Sequence, residues 1–363
     1  MASATASPNA SPPLRGRVDR WRRAARRTSG WGGLLYVVPA LAILLLFEIW
    51  PLLFGIWISL WRWDIGPIRF IGLENYARLF GEGFVTSDFR GDRVAGDVAN
   101  SLAVTFYYVL GTVPVTLFLA FGIAYLLFQG IAGQGALRTI YFLPYVTSSV
   151  AVALVFAWMF NSQVGVVNAI LERMGLPTST WLRDPRPVAE QLLGGLGVSQ
   201  SALDAWPDLA AGPSVALVVV IIFSIWTALG YSVVVYLAGM TAIPRDLRDA
   251  ARVDGAGPWQ AMRSVVWPLL APTTIFLVIF NTITAFQAFT PIYTLTRNVG
   301  MGRAEAGGPL DSTLTITVFI FRNFYEKANS VGFAAALSLF LFLLMLGLTL
   351  AQFRLLGRST DES

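Results

Sequence analysis

Six long apolar segments divide this chain, at about 34–60, 100–128, 137–160, 214–240, 269–290 and 331–354. A helix needs roughly 20 apolar residues to cross about 30 Å of hydrocarbon. Each run is long enough, so the sequence predicts an all-α polytopic membrane protein with six transmembrane helices. Composition agrees. Hydrophobic residues make up 55% of the chain and charged residues 13%, against about 25% charge in soluble domains.

Charge placement sets the orientation. Seven arginines lie between Arg15 and Arg27, with a single acid, Asp19, before the first span. Basic flanks stay in the cytoplasm, and an even number of spans then keeps both termini inside. The inner segments carry 14 basic residues, while the much longer outer loops 61–99, 161–213 and 291–330 carry 12. The first apolar run is too long for a signal-peptide core, and no small-residue cleavage site follows it. Residues 1–33 read as a basic cytoplasmic tail, with 1–14 disordered. Residues 34–355 read as the membrane domain and 356–363 as a cytoplasmic end. Within the outer loops, 70–76 looks ordered, and 188–206 is an amphipathic stretch.

Absences narrow the chemistry. The chain has no cysteine and no histidine, which removes disulfides, thiolate chemistry, His-ligated metals and imidazole catalysis. Its one lysine, Lys327, stands in Asn-Phe-Tyr-Glu-Lys-Ala-Asn, so no Gly-Lys-Ser/Thr phosphate loop exists. No paired mid-span carboxylates are present to support an intramembrane enzyme. Glu48 is the one acid within a span, about 21 Å into the first helix at 1.5 Å per residue. It reads as structural, near the outer interface. A stand-alone secondary transporter or channel usually carries more ionisable groups in mid-span than this.

Residues 243–272 are a charged, helix-forming segment between two apolar runs, starting Ile243-Pro244-Arg245-Asp246 and ending Leu270-Ala271-Pro272. Pro244 suits a helix start, and Asp246 and Asp249 favour its positive end. Ala250, Ala251, Val253 and Ala256 offer a small apolar surface. Gly255 and Gly257 permit a sharp turn. A short helix with charged edges and small contact residues can dock in a groove of a soluble protein, although an ordinary cytoplasmic hairpin would look similar.

The spacing Asp249-Ala250-Ala251-x-x-Asp254-Gly255-Ala256, followed by Pro268 and Pro272, resembles the cytoplasmic coupling loop of importer permeases of the ATP-binding-cassette class. Asp249 stands where the family usually has Glu, and Met262 where an aromatic is common. The resemblance extends over about 34–355. Phe70-x-Gly72-Leu73-x-Asn75-Tyr76, Leu143-Pro144, Trp158-x-Phe160, Gly165 and Asn168, Phe286-Gln287-x-Phe289, Gly307-Gly308-Pro309, Ser312-Thr313 and Gly332–Ser338 resemble the maltose-type sugar permease branch. Residues 1–33 and about 187–212 are extra to that pattern. The resemblance implies the type I importer permease fold and a multi-pass protein of the bacterial or archaeal inner membrane. It implies partners: a second, non-identical permease, two ATPase subunits and an external solute-binding protein. ATP and Mg then belong to the ATPase subunits, and this chain is not an enzyme and binds no cofactor itself. Asp249, Ala250, Ala251, Asp254, Gly255 and Ala256 are the implied ATPase contacts.

Polar and aromatic groups inside spans mark candidate pathways. Trp226, Gly230 and Tyr231 in the fourth apolar run, Asn281, Thr284, Phe286 and Gln287 in the fifth and Ser338 in the sixth are such groups. Amides and hydroxyls suit sugar hydroxyls, and aromatic faces suit sugar C–H faces. Each could also back-bond or pack within its own bundle. No charge lies in these stretches before Arg354 at the end of the sixth, which favours a neutral sugar over a glycerol-phosphate ester or a polyamine.

Overall fold

A computed structural model describes residues 31–87, 93–130, 133–195, 198, 212–297 and 306–357. The basic tail up to residue 30, the C-terminal end from 358 and the central part of the 187–212 insertion lie outside the described residues. The N-terminal segment ending at Trp57 is a unit of its own. From Trp31 it is helical, as α1 (Trp31–Leu44), a π-helical turn (Leu45–Ile49) and α2 (Trp50–Ile58). Glu48 sits in the π turn. Trp50, Phe54 and Trp57 stack along one face at 6.4 and 5.6 Å.

The second unit begins at Ile58. A two-stranded hairpin (β1, Trp61–Trp63; β2, Pro67–Phe70) leads into α3 (Glu74–Phe80). A second hairpin pairs β3 (Val85–Ser87) with β4 (Arg93–Ala95). The order expected at 70–76 has a cause. Asn75 Nδ2 donates to the Ser59 carbonyl at 2.8 Å and to that of Trp61 at 3.2 Å, while the Ser59 and Tyr76 hydroxyls bond at 2.6 Å. Those contacts tie the chain after the first span to the start of the loop.

The long helices are α4 (Asp97–Phe128), α9 (Val215–Thr241) and α16 (Val331–Gly357). Together with 36–58 they are the four helices long and apolar enough to cross a membrane singly. The two remaining expected spans are each a bent pair, which makes six if each pair is one span. α5 (Gln134–Val146) and α6 (Ser149–Met159) meet at 96°. α11 (Pro258–Ala261), a π turn (Met262–Val266) and α12 (Trp267–Leu269) meet α13 (Ala271–Phe286) at 67°. The breaks have local reasons. Thr147 and Ser148 adopt ψ of 155° and 115° after Pro144, and Pro268 and Pro272 flank Leu270, whose ψ is near 0°. With 16 residues α13 is about 24 Å long, short of a full crossing by itself.

α4 is the post around which the second unit packs, most extensively against α9 and then against α13 and α15 (Ile316–Tyr325). Its buried face alternates large residues with Ser101, Thr105, Thr112, Thr116, Ala120 and Ala124. Small residues let backbones approach closely where lipid offers no hydrophobic drive. The hydroxyls also bond between helices. Tyr108 donates to Ser224 on α9 at 2.8 Å, and Thr105 Oγ1 accepts the Ile316 amide at 2.9 Å. Between the bent pair and α9, the chain forms α7 (Val166–Arg173) and α8 (Val188–Gly195). Past the fifth apolar run come α14 (Thr290–Thr296) and the 307–312 turn.

The insertion has a built neck. Val188 donates to the Pro213 carbonyl and Val215 to that of Arg186, closing the two strands of chain. Below them Asp184, 2% exposed, accepts from the Arg186 side chain at 3.0 and 2.8 Å and from Gln191 at 2.8 Å. The Arg186 guanidinium holds the Asp184 carboxyl below the usual carboxylate range, against the opposing effect of burial. A carboxyl depressed in this way stabilises the neck above its ordinary pKa and stops doing so as pH falls through the lower, folded value. Asp184→Asn should loosen α8 at neutral pH by about 1–2 kcal/mol. The low end applies because the Arg186 side chain is 64% exposed. Limited proteolysis within 188–195 checks it, with the parent opening only in acid below the ordinary carboxylate range.

Candidate functional site

The 243–272 segment folds as α10 (Arg245–Val253) followed by a tight turn. Ala256 N–H reaches back to the Ala251 carbonyl at 2.9 Å, and Asp254 N–H to that of Ala250 at 2.9 Å. Gly255 between them has φ of +77°. This is a Schellman ending, in which the glycine takes the left-handed position and the last carbonyls find partners. Asp249, Ala250, Asp254 and Gly255 are exposed, while Ala251 and Ala256 are half-buried. No neighbour lies within 4 Å of where a Cβ on Gly255 would stand, so the requirement for glycine here is conformational. Leu247 and Val253 add exposed apolar surface to the same short helix.

The expected pathway residues divide into two groups. Gly230, Phe286 and Asn281 point into the packed interior. A Cβ on Gly230 would stand 2.7 Å from the Tyr141 carbonyl and 3.2 Å from Phe142 Cα, so Gly230 is where α9 and α5 touch backbone to backbone. Phe286 is 2% exposed and meets Phe106 edge-on at 5.4 Å. Asn281 bonds the Leu277 carbonyl at 2.9 Å and approaches Ser232 at 3.4 Å.

The others are open. Thr284 and Ser338 are exposed, and each back-bonds to its own helix, to Phe280 and Ala334 respectively. Gln287 is exposed at the C-cap of α13 rather than within a span. Pro291, which has no N–H to carry the α13 hydrogen-bond ladder onward, instead sits in the first turn of the next helix. Trp226, 40% exposed, lies against Phe156 at 5.5 Å.

Around Tyr231 the structure assembles something that no single segment displays. Tyr231 stacks on Tyr145 of α5 at 5.5 Å and on Phe280 of α13 at 4.9 Å. Phe142 and Phe276 extend the row at 5.5 and 5.9 Å. Five rings from three helices thus form a continuous strip, with Tyr145, Phe276 and Phe280 exposed. Phe276, Phe280 and Thr284 recur every fourth residue and share one face of α13 with Gln287. No charged residue occurs in α6, α9 or α13. Phe276, Phe280 and Tyr145 were not among the residues singled out from sequence. The i, i+4 repeat of phenylalanine on α13 was the one available signal.

The row depends on α5 seating closely on α9. Gly230→Ala should therefore lower the thermal midpoint of the purified protein, because backbone atoms of α5 would have to move. Overpacking of this kind costs about 1–3 kcal/mol.

Relatives with the same layout are known. The chain is 28% identical over 325 residues to the trehalose/maltose transport system permease protein MalF of Thermococcus litoralis, covering 89% of this chain and 92% of that one. It is 27% identical over 335 residues to the sn-glycerol-3-phosphate transport system permease protein UgpA of Pectobacterium atrosepticum, covering 92% and 96%. The fold matches a chain of a bacterial alginate ABC transporter, crystallised with its alginate pentasaccharide-bound periplasmic protein, at a TM-score of 0.69 and 20% identity over 93% of this chain and 97% of that one. Residues 113–359, more than half the sequence, match one family throughout, and the chain belongs to it: the binding-protein-dependent transport system inner membrane components.

Proposed function

We propose that this chain is the membrane-spanning permease subunit of an ATP-driven carbohydrate importer, with the solute passing along the aromatic row. The observation that carries this reading is the row itself. Five rings in contact offer apolar faces to the C–H surfaces of a sugar, with Thr284 and Gln287 beside them and no charged group on α9 or α13, while α5, which carries Phe142 and Tyr145, also carries Arg138. Concave or strip-like sites of this make-up orient neutral polyhydroxyl ligands through a few polar groups. A second reading, a glycerol-phosphate ester, is favoured by the UgpA relative, whose identity equals that of MalF to within one per cent. A phosphate would want an arginine or lysine within reach; α9 and α13 carry none, and the one on the helices of the row is Arg138 of α5.

In this reading α10 and its Schellman turn face the cytoplasm and dock on an ATPase subunit. A second permease completes the pathway, and an external binding protein delivers the solute at the outer loops. ATP and Mg reside in the ATPase subunits. Closure of those subunits would move α10 as a rigid body and switch access from one side of the membrane to the other.

Two tests follow. Phe280→Ala and Tyr231→Ala should each raise the KM for sugar uptake in a reconstituted complex, while binding of the ATPase is retained. Loss of a ring contact worth about 0.5–1.5 kcal/mol is roughly a two- to twelvefold change. Parental KM in both variants, or uptake of glycerol phosphate in preference to sugars, would remove the carbohydrate reading. Gly255→Trp adopts left-handed backbone at a cost of about 1–2 kcal/mol and sets a large ring on the turn. Together with Asp254→Arg, it should leave a membrane-inserted subunit that no longer co-purifies with the ATPase, or no longer stimulates its hydrolysis. Normal assembly and stimulation in both would show that the turn is not the coupling element.

A further inference from the structure

The segment that follows the Schellman turn is held to α4 at two points. Tyr125, near the end of α4, donates its hydroxyl to the Pro258 carbonyl at 2.8 Å, a bond across 133 residues of chain. One turn earlier on α4, Phe121 meets Trp267 edge-on at 4.9 Å. The two α4 residues stack on each other at 6.3 Å, and Phe121 also meets Tyr236 of α9 edge-on at 5.7 Å. Pro258 and Trp267 are the two ends of the stretch that contains the π turn Met262–Val266.

Between α10 and Pro258 stand Gly255, already in left-handed backbone, and Gly257, in extended backbone at the N-cap of α11. Without a tie, such a joint would let α10 swing while the spans stayed still. Any displacement would then be absorbed in the glycines and the wide π turn. The Tyr125 hydroxyl makes a polar contact between α4 and this joint, and it falls on the first residue after the glycines.

We infer that Tyr125 is a positioning residue for energy coupling: with Phe121 it clamps the 258–267 segment to α4, so that movement of α10 is passed to the central post of the bundle. The inference rests on the coupling role proposed for α10, and it adds the path by which displacement leaves the loop. A phenylalanine at 125 keeps the stack on Phe121 and removes the hydroxyl alone, which makes the tie separable from packing.

The test uses the full complex with its partner permease and ATPases in lipid nanodiscs, with ATP and vanadate as the probe. The chain has no natural cysteine, so Gln129→Cys on the end of α4 and Trp259→Cys after Pro258 can carry spin labels. With Tyr125 present, the distance between labels should be the same before and after nucleotide trapping. In Y125F it should shift or split on trapping, because the loop then moves against α4. Tyr125→Leu, which also lacks the hydroxyl, should behave like Y125F. A distance that changes on trapping with Tyr125 intact overturns the inference. So does a Y125F distribution that superimposes on the parent in both states, or reduced complex yield with an unchanged distribution. Failure of the underlying coupling role reads differently: the Gly255→Trp and Asp254→Arg complexes then assemble and hydrolyse ATP normally, whatever the labels report.

Discussion

A backbone amide cannot go unpaired in hydrocarbon, and where this chain bends inside its apolar runs it has to meet that cost locally. At Thr147–Ser148 the turn is satisfied by the Thr147 amide on the Leu143 carbonyl and by the Thr147 hydroxyl on that of Pro144. At Leu270 the amide returns to the Val266 carbonyl, and Pro272 just beyond has no amide to satisfy. Both bends are thus built where proline removes a donor or where a hydroxyl supplies one. Through them the two bent pairs bring Tyr145 and Phe280 against Tyr231, which straight helices starting from the same ends would not do.

The straight post α4 offsets this irregularity. It contains Pro114 and still runs 32 residues without a break, as membrane helices can when neighbours supply the missing contacts. Its Ser, Thr and Ala positions seat α9 and α13 closely, and Gly230 does the same for α5 on α9. The close approaches lie beside the aromatic row rather than within it. Rings that face one another at about 5 Å therefore hang from helices whose spacing is set by small residues a turn or two away.

Much of this was legible in the sequence. The apolar runs at 100–128, 214–240 and 331–354 became single helices within a few residues of their expected ends, because length and hydropathy fix a span almost alone. The Gly255 turn was legible for a different reason: only glycine takes φ of +77° cheaply, so its position after an alanine-rich helix announces the cap. The bends at 147 and 270 left local traces, Pro144 with Thr147-Ser148-Ser149 and Pro268 with Pro272, but hydropathy over a whole run does not register direction. Gln287 moved from span to cap for the same reason. Phe286 and Phe280 look alike in sequence. Six positions on a helix differ by about 240° of rotation, and only the packing partners decide which ring is buried.

The aromatic row and the Tyr125 tie share one property that explains why a linear reading misses them. Each joins residues more than 45 positions apart, Tyr231 to Phe280 in one case and Tyr125 to Pro258 in the other. The Tyr125 tie leaves no periodic trace within its own helix, and the row leaves only the phenylalanine repeat of α13. The two are connected through α9 and α4: Phe121 touches Tyr236, and Tyr236 stands five residues beyond Tyr231 on the same helix. A displacement delivered to α4 at Tyr125 therefore reaches α9 at Tyr236 before it reaches the row. α9 is a continuous helix of 27 residues without glycine breaks or proline between those two tyrosines, so it moves as one body over that interval. The path from the segment after the Gly255 turn to the aromatic row is then one hydrogen bond, two ring contacts and little more than one helical turn.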